Sequence, residues 1–245
     1  MSQEWFKDWF ESEDYLTVYK HRNNNEARQL LDLIIEKTGI ESGAKILDSA
    51  CGAGRHSIHL AKLGFDVVAF DLSETLLRIA KKNSSEQNLK IQFYQSDIRE
   101  AFFEVKFDLI LNLFTSFGYF EEDSENFQFI LNAHNMLKPK GFFVFDYFNK
   151  NLLINNLVPE SITHLADKII TERRRFDGER VIKDIEIKQN GSTNIFYESV
   201  RLYSPEEILT HFSKIGFKAK SIFGDYSGTR FDETTSKRLV IFFTK

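Results

Sequence analysis

One cysteine, Cys51, stands among 245 residues, so neither an intramolecular disulfide nor a cysteine-rich zinc site can be built. Proline (3) and glycine (12) are scarce, which excludes long disordered tracts of the Pro/Gly-rich kind. No run approaches the roughly 20 apolar residues that a membrane helix needs. The opening Met1-Ser2-Gln3-Glu4-Trp5-Phe6 has neither the basic start nor the apolar core of a secretory signal, and a reducing, cytoplasmic setting is the expectation. An excess of positive charge is lacking too. The net charge is −4, so no broad electrostatic grip on nucleic acid or anionic membrane is expected. The one local basic run, Arg173-Arg174-Arg175, reads as a solvated face. Among six histidines, the His56/His59 pair does not make a convincing ligand set, and no metal is expected.

What is present is a core-forming composition, 42% hydrophobic and 28% charged, sufficient for one domain with a small appendage. Residues 1–39 read as an N-terminal segment ending in a helix, whose apolar positions Ala27, Leu30, Leu31 and Ile34 recur at helical spacing. From 40 to 150 short apolar strands alternate with helices, the pattern of a parallel sheet covered on both faces. Right-handed crossovers make it doubly wound. Ligands of such sheets bind beyond the C-terminal strand ends, where strand order switches.

The pattern changes over 151–203. Three segments alternate polar and apolar residues, separated by Asp177-Gly178 and Asn190-Gly191, both hairpin signals. A three-stranded antiparallel insertion is predicted, able to act as a lid or to serve a homodimer through its edges. Residues 204–245 then supply a helix opened by Ser204-Pro205-Glu206-Glu207 and two last strands. The expected fold is α/β: a doubly wound, mostly parallel seven-stranded sheet with a reversed last strand, plus the small antiparallel insertion.

The central motif is Ile46-Leu47-Asp48-Ser49-Ala50-Cys51-Gly52-Ala53-Gly54, an apolar strand ending in an acid and running into a glycine turn. Asp71 and Asp97 stand at or just beyond the ends of the next two predicted strands. In this ordered set the sequence resembles the Rossmann-like (class I) S-adenosylmethionine-dependent methyltransferases of small-molecule type. Ala50 replaces the first glycine of their motif, and Gly52 and Gly54 match the other two. A dinucleotide dehydrogenase would want a third glycine where Ser57 stands.

The resemblance implies that the loop Asp48, Ala50, Cys51, Gly52 and Gly54 wraps the methionine part of S-adenosylmethionine. It implies that Asp71 binds the ribose hydroxyls, that Leu72 flanks the adenine, and that Asp97 with the Ile98 backbone reads its amino group. Asn112 and Phe114 would close the fourth strand over the cofactor. By analogy with small-molecule N-methyltransferases, Tyr15, Tyr19 and Arg22 would cover it. Candidates for the acceptor pocket are Phe117, Tyr119, Tyr147, Asn149, Tyr226 and Arg230, with Asp146 beside Tyr147. Tyr119, Tyr147 and His56 are the candidates for a catalytic role. The expected reaction is transfer of a methyl group to nitrogen or oxygen of a small molecule. An RNA acceptor and a non-catalytic cofactor-binding module are the alternatives.

Overall fold

The computed structural model describes residues 4–19, 24–165 and 167–245. Two short helices, α1 (Trp5–Glu11) and α2 (Glu13–Val18), precede the long α3 (Asn24–Thr38). The alternating core follows: β1 (Lys45–Ser49), α4 (Arg55–Lys62), β2 (Asp66–Asp71), α5 (Glu74–Ser85), β3 (Ile91–Gln95), β4 (Phe107–Asn112), α6 (Asp123–Met136) and β5 (Leu137–Phe148). After α7 (Lys150–Asn155) come β6 (Glu160–Leu165), β7 (Lys168–Phe176), β8 (Arg180–Gln189) and β9 (Ser192–Arg201). The chain ends with α8 (Pro205–Ile215), β10 (Lys218–Phe223) and β11 (Arg238–Thr244).

The main sheet has the order β10-β11-β5-β4-β1-β2-β3. β1 pairs in parallel with both β2 and β4, so strand order reverses at β1 and opens a crevice at its C-terminal end. β11 is antiparallel to both neighbours and is the reversed strand expected from sequence. The central strands are apolar because helices cover both faces. Val67, Val68, Ala69 and Phe70 of β2 are all buried. One face packs Leu30, Leu31 and Ile34 of α3 and Leu60 of α4 on the sheet. Each such side chain contributes about 1.5–3 kcal/mol on burial. The other face packs Ile130 of α6 and Phe212 of α8 against Phe143 and Phe145 of β5.

α8 starts as its sequence predicts. Ser204 and Glu207 form a reciprocal capping box, Pro205 opens the first turn, and Gly216 closes the helix at φ 115°. The insertion has four strands rather than three, in the order β6-β7-β8-β9. The additional strand, β6, lies at the sheet edge and is mostly exposed, so its sequence carries no hydrophobic alternation to read. Asn190 and Gly191, at φ 50° and 81°, form the two-residue turn between Gln189 and Ser192. Asp177 instead organises a longer turn, its carboxylate accepting from the Glu179 and Arg180 amides.

α1 is held between the insertion and the open edge of the main sheet. Trp5, Phe6 and Trp9 are buried with Ile170, Ile185 and Ile187 of the insertion and with Phe120.

Candidate functional site

β1 ends in Asp48 and Ser49, both buried, and the chain turns through Ala50, Gly52 and Gly54 at φ 50°, 56° and 78°. Ala50 therefore holds the left-handed conformation that glycine adopts most easily. A Cβ on Gly52 would meet open space, whereas one on Gly54 would lie 2.8 Å from the Ala80 Cβ. Gly52 thus exposes its backbone to the crevice, and Gly54 lets α4 approach α5. Ser57 donates to Asp48 Oδ2 at 2.5 Å from the first turn of α4, so the residue that breaks the dinucleotide pattern braces the first acid.

Asp71 reaches the same place from the end of β2. Its Oδ2 accepts from the Gly52 amide at 2.7 Å and its Oδ1 from the Ser73 amide at 2.9 Å. Burial pushes the Asp48 carboxyl up to about 6, opposed by the Ser57 hydrogen bond and aided by the charge of Asp71. Burial also raises Asp71, against its hydrogen bonds from Ser73 and Gly52. At Asp97, burial works upward, but hydrogen bonds and charge from Arg99 outweigh it and hold the carboxyl below its ordinary value. The Arg99 guanidinium donates to both Asp97 oxygens and to Glu125 and Glu4.

Two adjoining cavities occupy this edge. The larger, about 570 Å³, is lined by Asp48, Ala50, Cys51, Gly52, His56, Phe114, Tyr119, Tyr15 and Tyr19, among others. The smaller, about 80 Å³, is lined by Asp71, Leu72, Asp97, Ile98, Phe10 and Tyr119, and shares Ala50, Gly52 and Tyr15 with the larger. The roof comes from the N-terminal helices. Ser73 Oγ donates to the Phe10 carbonyl, and the Glu11 carboxylate accepts from the first amides of α5, Glu74 and Thr75. Tyr119 joins roof to floor: its ring lies 5.4 Å from Trp5 and 5.7 Å from Phe10, and its hydroxyl donates to the Thr115 carbonyl.

His56 lines the larger cavity, with its ring 5.2 Å from Phe114. Burial, then the charges of Arg55 and His59, hold it well below its usual titration range and hence neutral. Its Nε2 is buried without a hydrogen-bond partner among the described residues, and so is Asn112 Oδ1. Asn112, at the end of β4, donates to Ser49 Oγ and the Ser116 carbonyl and so ties the next loop to β1.

Several sequence candidates lie elsewhere. Tyr147 is fully buried and donates to the Arg201 carbonyl. It does not line the crevice, because both faces of β5 are covered and its ring packs against Phe117 and Phe145. Phe117 is core as well. Asn149 caps α7 and donates to the carbonyls of Glu233 and Ser236. Tyr226 lies behind the crevice, donating to Asp146, and Arg230 is exposed. Arg22 lies outside the described residues. Arg238 donates to the fully buried Asp146 from a strand distant in sequence, a pairing that no local motif marks.

A glycine-turn backbone facing open space, a buried carboxylate at the end of β2 and an orphaned imidazole nitrogen on a residue of the cavity wall fit a nucleoside-bearing cofactor with an amino-acid tail. The comparisons agree. A methyltransferase-domain family model matches residues 46–141. A putative methyltransferase of Bacillus subtilis (strain 168) is 35% identical over 128 residues, 52% of this chain and 51% of that protein. The chain thus spans about half the length of such curated relatives. A glycine/sarcosine N-methyltransferase of Aphanothece halophytica is 24% identical over 92% of this chain and 84% of its own. The crystal structure of an S-adenosylmethionine-dependent methyltransferase from Clostridium acetobutylicum ATCC 824 superposes with a TM-score of 0.82 at 21% identity, over 94% of this chain and 95% of that one. Strand order and superposition give this chain the Rossmann-like fold of such methyltransferases, and its residues 46–141, which carry the glycine turn, Asp71 and Asp97, match the methyltransferase-domain model.

Proposed function

We propose that this protein is an enzyme that transfers the methyl group of S-adenosylmethionine to a nitrogen or oxygen of a small molecule in the cytoplasm. The observation that carries the reading is the meeting of Gly52 and Asp71 at 2.7 Å, beside Asp48 and at the edge where strand order reverses. Residues 40–150 are the cofactor-binding core, completed by 204–245, and residues 1–39 and 151–203 are its covers.

In this reading Asp71 accepts from the ribose hydroxyls with the lone pairs that its two amide partners leave open. Leu72 would flank the adenine, and Asp97 with the Ile98 backbone would read its amino group, all three lining the smaller cavity. Asp48, with the Ala50–Gly52 backbone, holds the charged methionine end. Bound S-adenosylmethionine supplies a methyl on a sulfonium that leaves as a neutral thioether, so no leaving-group acid is needed. The protein's task is alignment and exclusion of water. Tyr15, Tyr19, Phe114 and Tyr119 wall the crevice with aromatic faces, which suit a sulfonium. His56, held neutral, offers a nitrogen at the cavity wall.

A small acceptor is favoured because the crevice is roofed on one side by α1 and α2 and the insertion stands behind them. The name of the Aphanothece relative points the same way, toward small amines. The basic run offers little to RNA. Arg173 pairs with Glu160, Arg174 with Glu172 and Arg175 with Asp184, so its charge is met within the insertion.

The test is methyl transfer from labelled S-adenosylmethionine into a small-metabolite extract, set beside total RNA and protein. Label in the metabolite fraction, together with formation of S-adenosylhomocysteine, is expected. Label confined to RNA or protein would reject the small-molecule reading. Binding without turnover in any fraction would favour the non-catalytic module.

A further inference from the structure

Phe114 and Thr115 follow β4 and hold φ of +54° and +64°. Neither an aromatic nor a β-branched residue adopts this conformation readily, and two in succession persist only where the surroundings fix them. The fixing group is Asp146, fully buried on β5. Its Oδ2 accepts from the Phe114 amide at 2.9 Å and the Tyr226 hydroxyl at 3.0 Å. Its Oδ1 accepts from Arg238 Nε at 2.8 Å, and its backbone carbonyl accepts from the Thr115 amide at 3.0 Å. Arg238 Nη2 also donates to Thr115 Oγ1 at 3.0 Å. Reversal of β11 makes this possible, because only an antiparallel strand brings its first residue, Arg238, to the edge where β4 and β5 end.

A buried ion pair is a poor means of adding stability, since desolvation offsets most of its attraction. This one grips the two left-handed residues at three atoms, the Phe114 and Thr115 amides and Thr115 Oγ1. Its product is the placement of Phe114, a wall of the larger cavity, with the Arg55 guanidinium 4.1 Å from its ring centroid and His56 alongside.

We propose that Asp146 and Arg238, with Tyr226 as a third member, are positioning residues that lock the Phe114–Thr115 turn so that the cavity wall is preformed for the cofactor. This rests on the reading of the cavity as the S-adenosylmethionine site. Preformation avoids ordering the wall at the moment of binding.

The test is calorimetric titration of S-adenosylhomocysteine into the native protein, Arg238→Met, Tyr226→Phe, and Arg238→Met combined with Thr115→Asn, with thermal unfolding of each. Arg238→Met should bind about ten-fold more weakly while still folded, because a wall displaced by an ångström is felt at the site. Asparagine tolerates the left-handed region better than threonine, so the added Thr115→Asn should regain about three-fold. A purely stabilising pair would lower the unfolding midpoint and leave affinity unchanged. Should Arg238→Met fail to fold, Tyr226→Phe, which removes one hydrogen bond, carries the test with an expected loss of about three-fold. The clamp is overturned if the native protein binds and the folded variants match its affinity within about two-fold. If the native protein does not bind S-adenosylhomocysteine, the reading of the cavity falls instead, and the clamp with it.

Discussion

The Gly52 amide donates to Asp71 Oδ2 across 2.7 Å, joining the turn after β1 to the end of β2. The bond fixes the glycine turn from outside itself, and it leaves the carboxylate with free lone pairs toward the smaller cavity. A change in the turn should therefore be felt at the acid, and the reverse.

The residues of the turn should respond unequally to substitution. Gly54→Ala introduces a Cβ 2.8 Å from the Ala80 Cβ at a φ of +78°, and a cost of about 2–4 kcal/mol is expected. Ala50→Gly relieves a left-handed alanine and should be neutral or stabilising by up to about 1 kcal/mol. Thermal unfolding of the two variants checks the order. A Gly54→Ala protein as stable as the native would contradict the close approach of α4 to α5.

Asp48 makes stability depend on pH in a stated direction. Its folded value, about 6, lies above the ordinary 3.8, so the folded chain holds this proton more tightly than the unfolded one. The group's contribution falls as pH rises from near 3.8 to about 6 and is constant above. Asp48→Asn should therefore stabilise the ligand-free protein at neutral pH by about 3 kcal/mol at most, while weakening affinity for the cationic S-adenosylmethionine. Denaturant unfolding at pH 5 and pH 8 measures the first effect and titration the second. A variant that is less stable at pH 8 and binds as tightly as the native would refute this role.

The roof is fastened to the insertion by a polar group at its underside. Glu198 accepts from Trp9 Nε1 at 2.6 Å and from the Tyr19 hydroxyl at 2.5 Å, and lies 2.8 Å from Lys183. Glu198→Ala removes three partners at once and should cost about 2–4 kcal/mol locally. Amide hydrogen exchange should then speed up in α1 and α2 well before it does in β1 or β4. Unchanged exchange in these helices would show that apolar contacts alone hold the roof.

The two tyrosines near the strand ends should separate cleanly. Tyr147→Phe loses a hydrogen bond to the Arg201 carbonyl and should cost about 1 kcal/mol, leaving S-adenosylhomocysteine affinity unchanged. Tyr119→Ala opens the wall shared by both cavities and should weaken affinity by about ten-fold. The opposite ranking would place the cofactor away from this crevice.

Much of the edge was readable because its acids close apolar strands: Asp48 follows Ile46-Leu47, and Asp71 follows Val67-Val68-Ala69-Phe70. Such strands have few alternatives to a covered parallel sheet, and the sheet's geometry then collects their ends. Tyr147 was misleading for a physical reason. It stands at a strand end like Asp71, but Phe117 and Tyr203 pack on its ring, and no local pattern reports that covering. Asp146–Arg238 was equally hidden. The partners lie 92 residues apart, and they meet only because the last strand runs backwards. β6 escaped notice because an exposed edge strand needs no alternation. Ala50 looked like a mild departure from the glycine motif, yet it adopts the glycine conformation, which sequence alone does not reveal.

The most direct test of the account is titration of S-adenosylhomocysteine into the native protein and into Asp71→Asn, with circular dichroism to verify the fold. Affinity on the order of micromolar for the native chain, reduced on the order of a hundred-fold by the loss of one carboxylate oxygen, is the predicted result. Equal affinities in the two folded proteins, or no binding by the native chain, would contradict it.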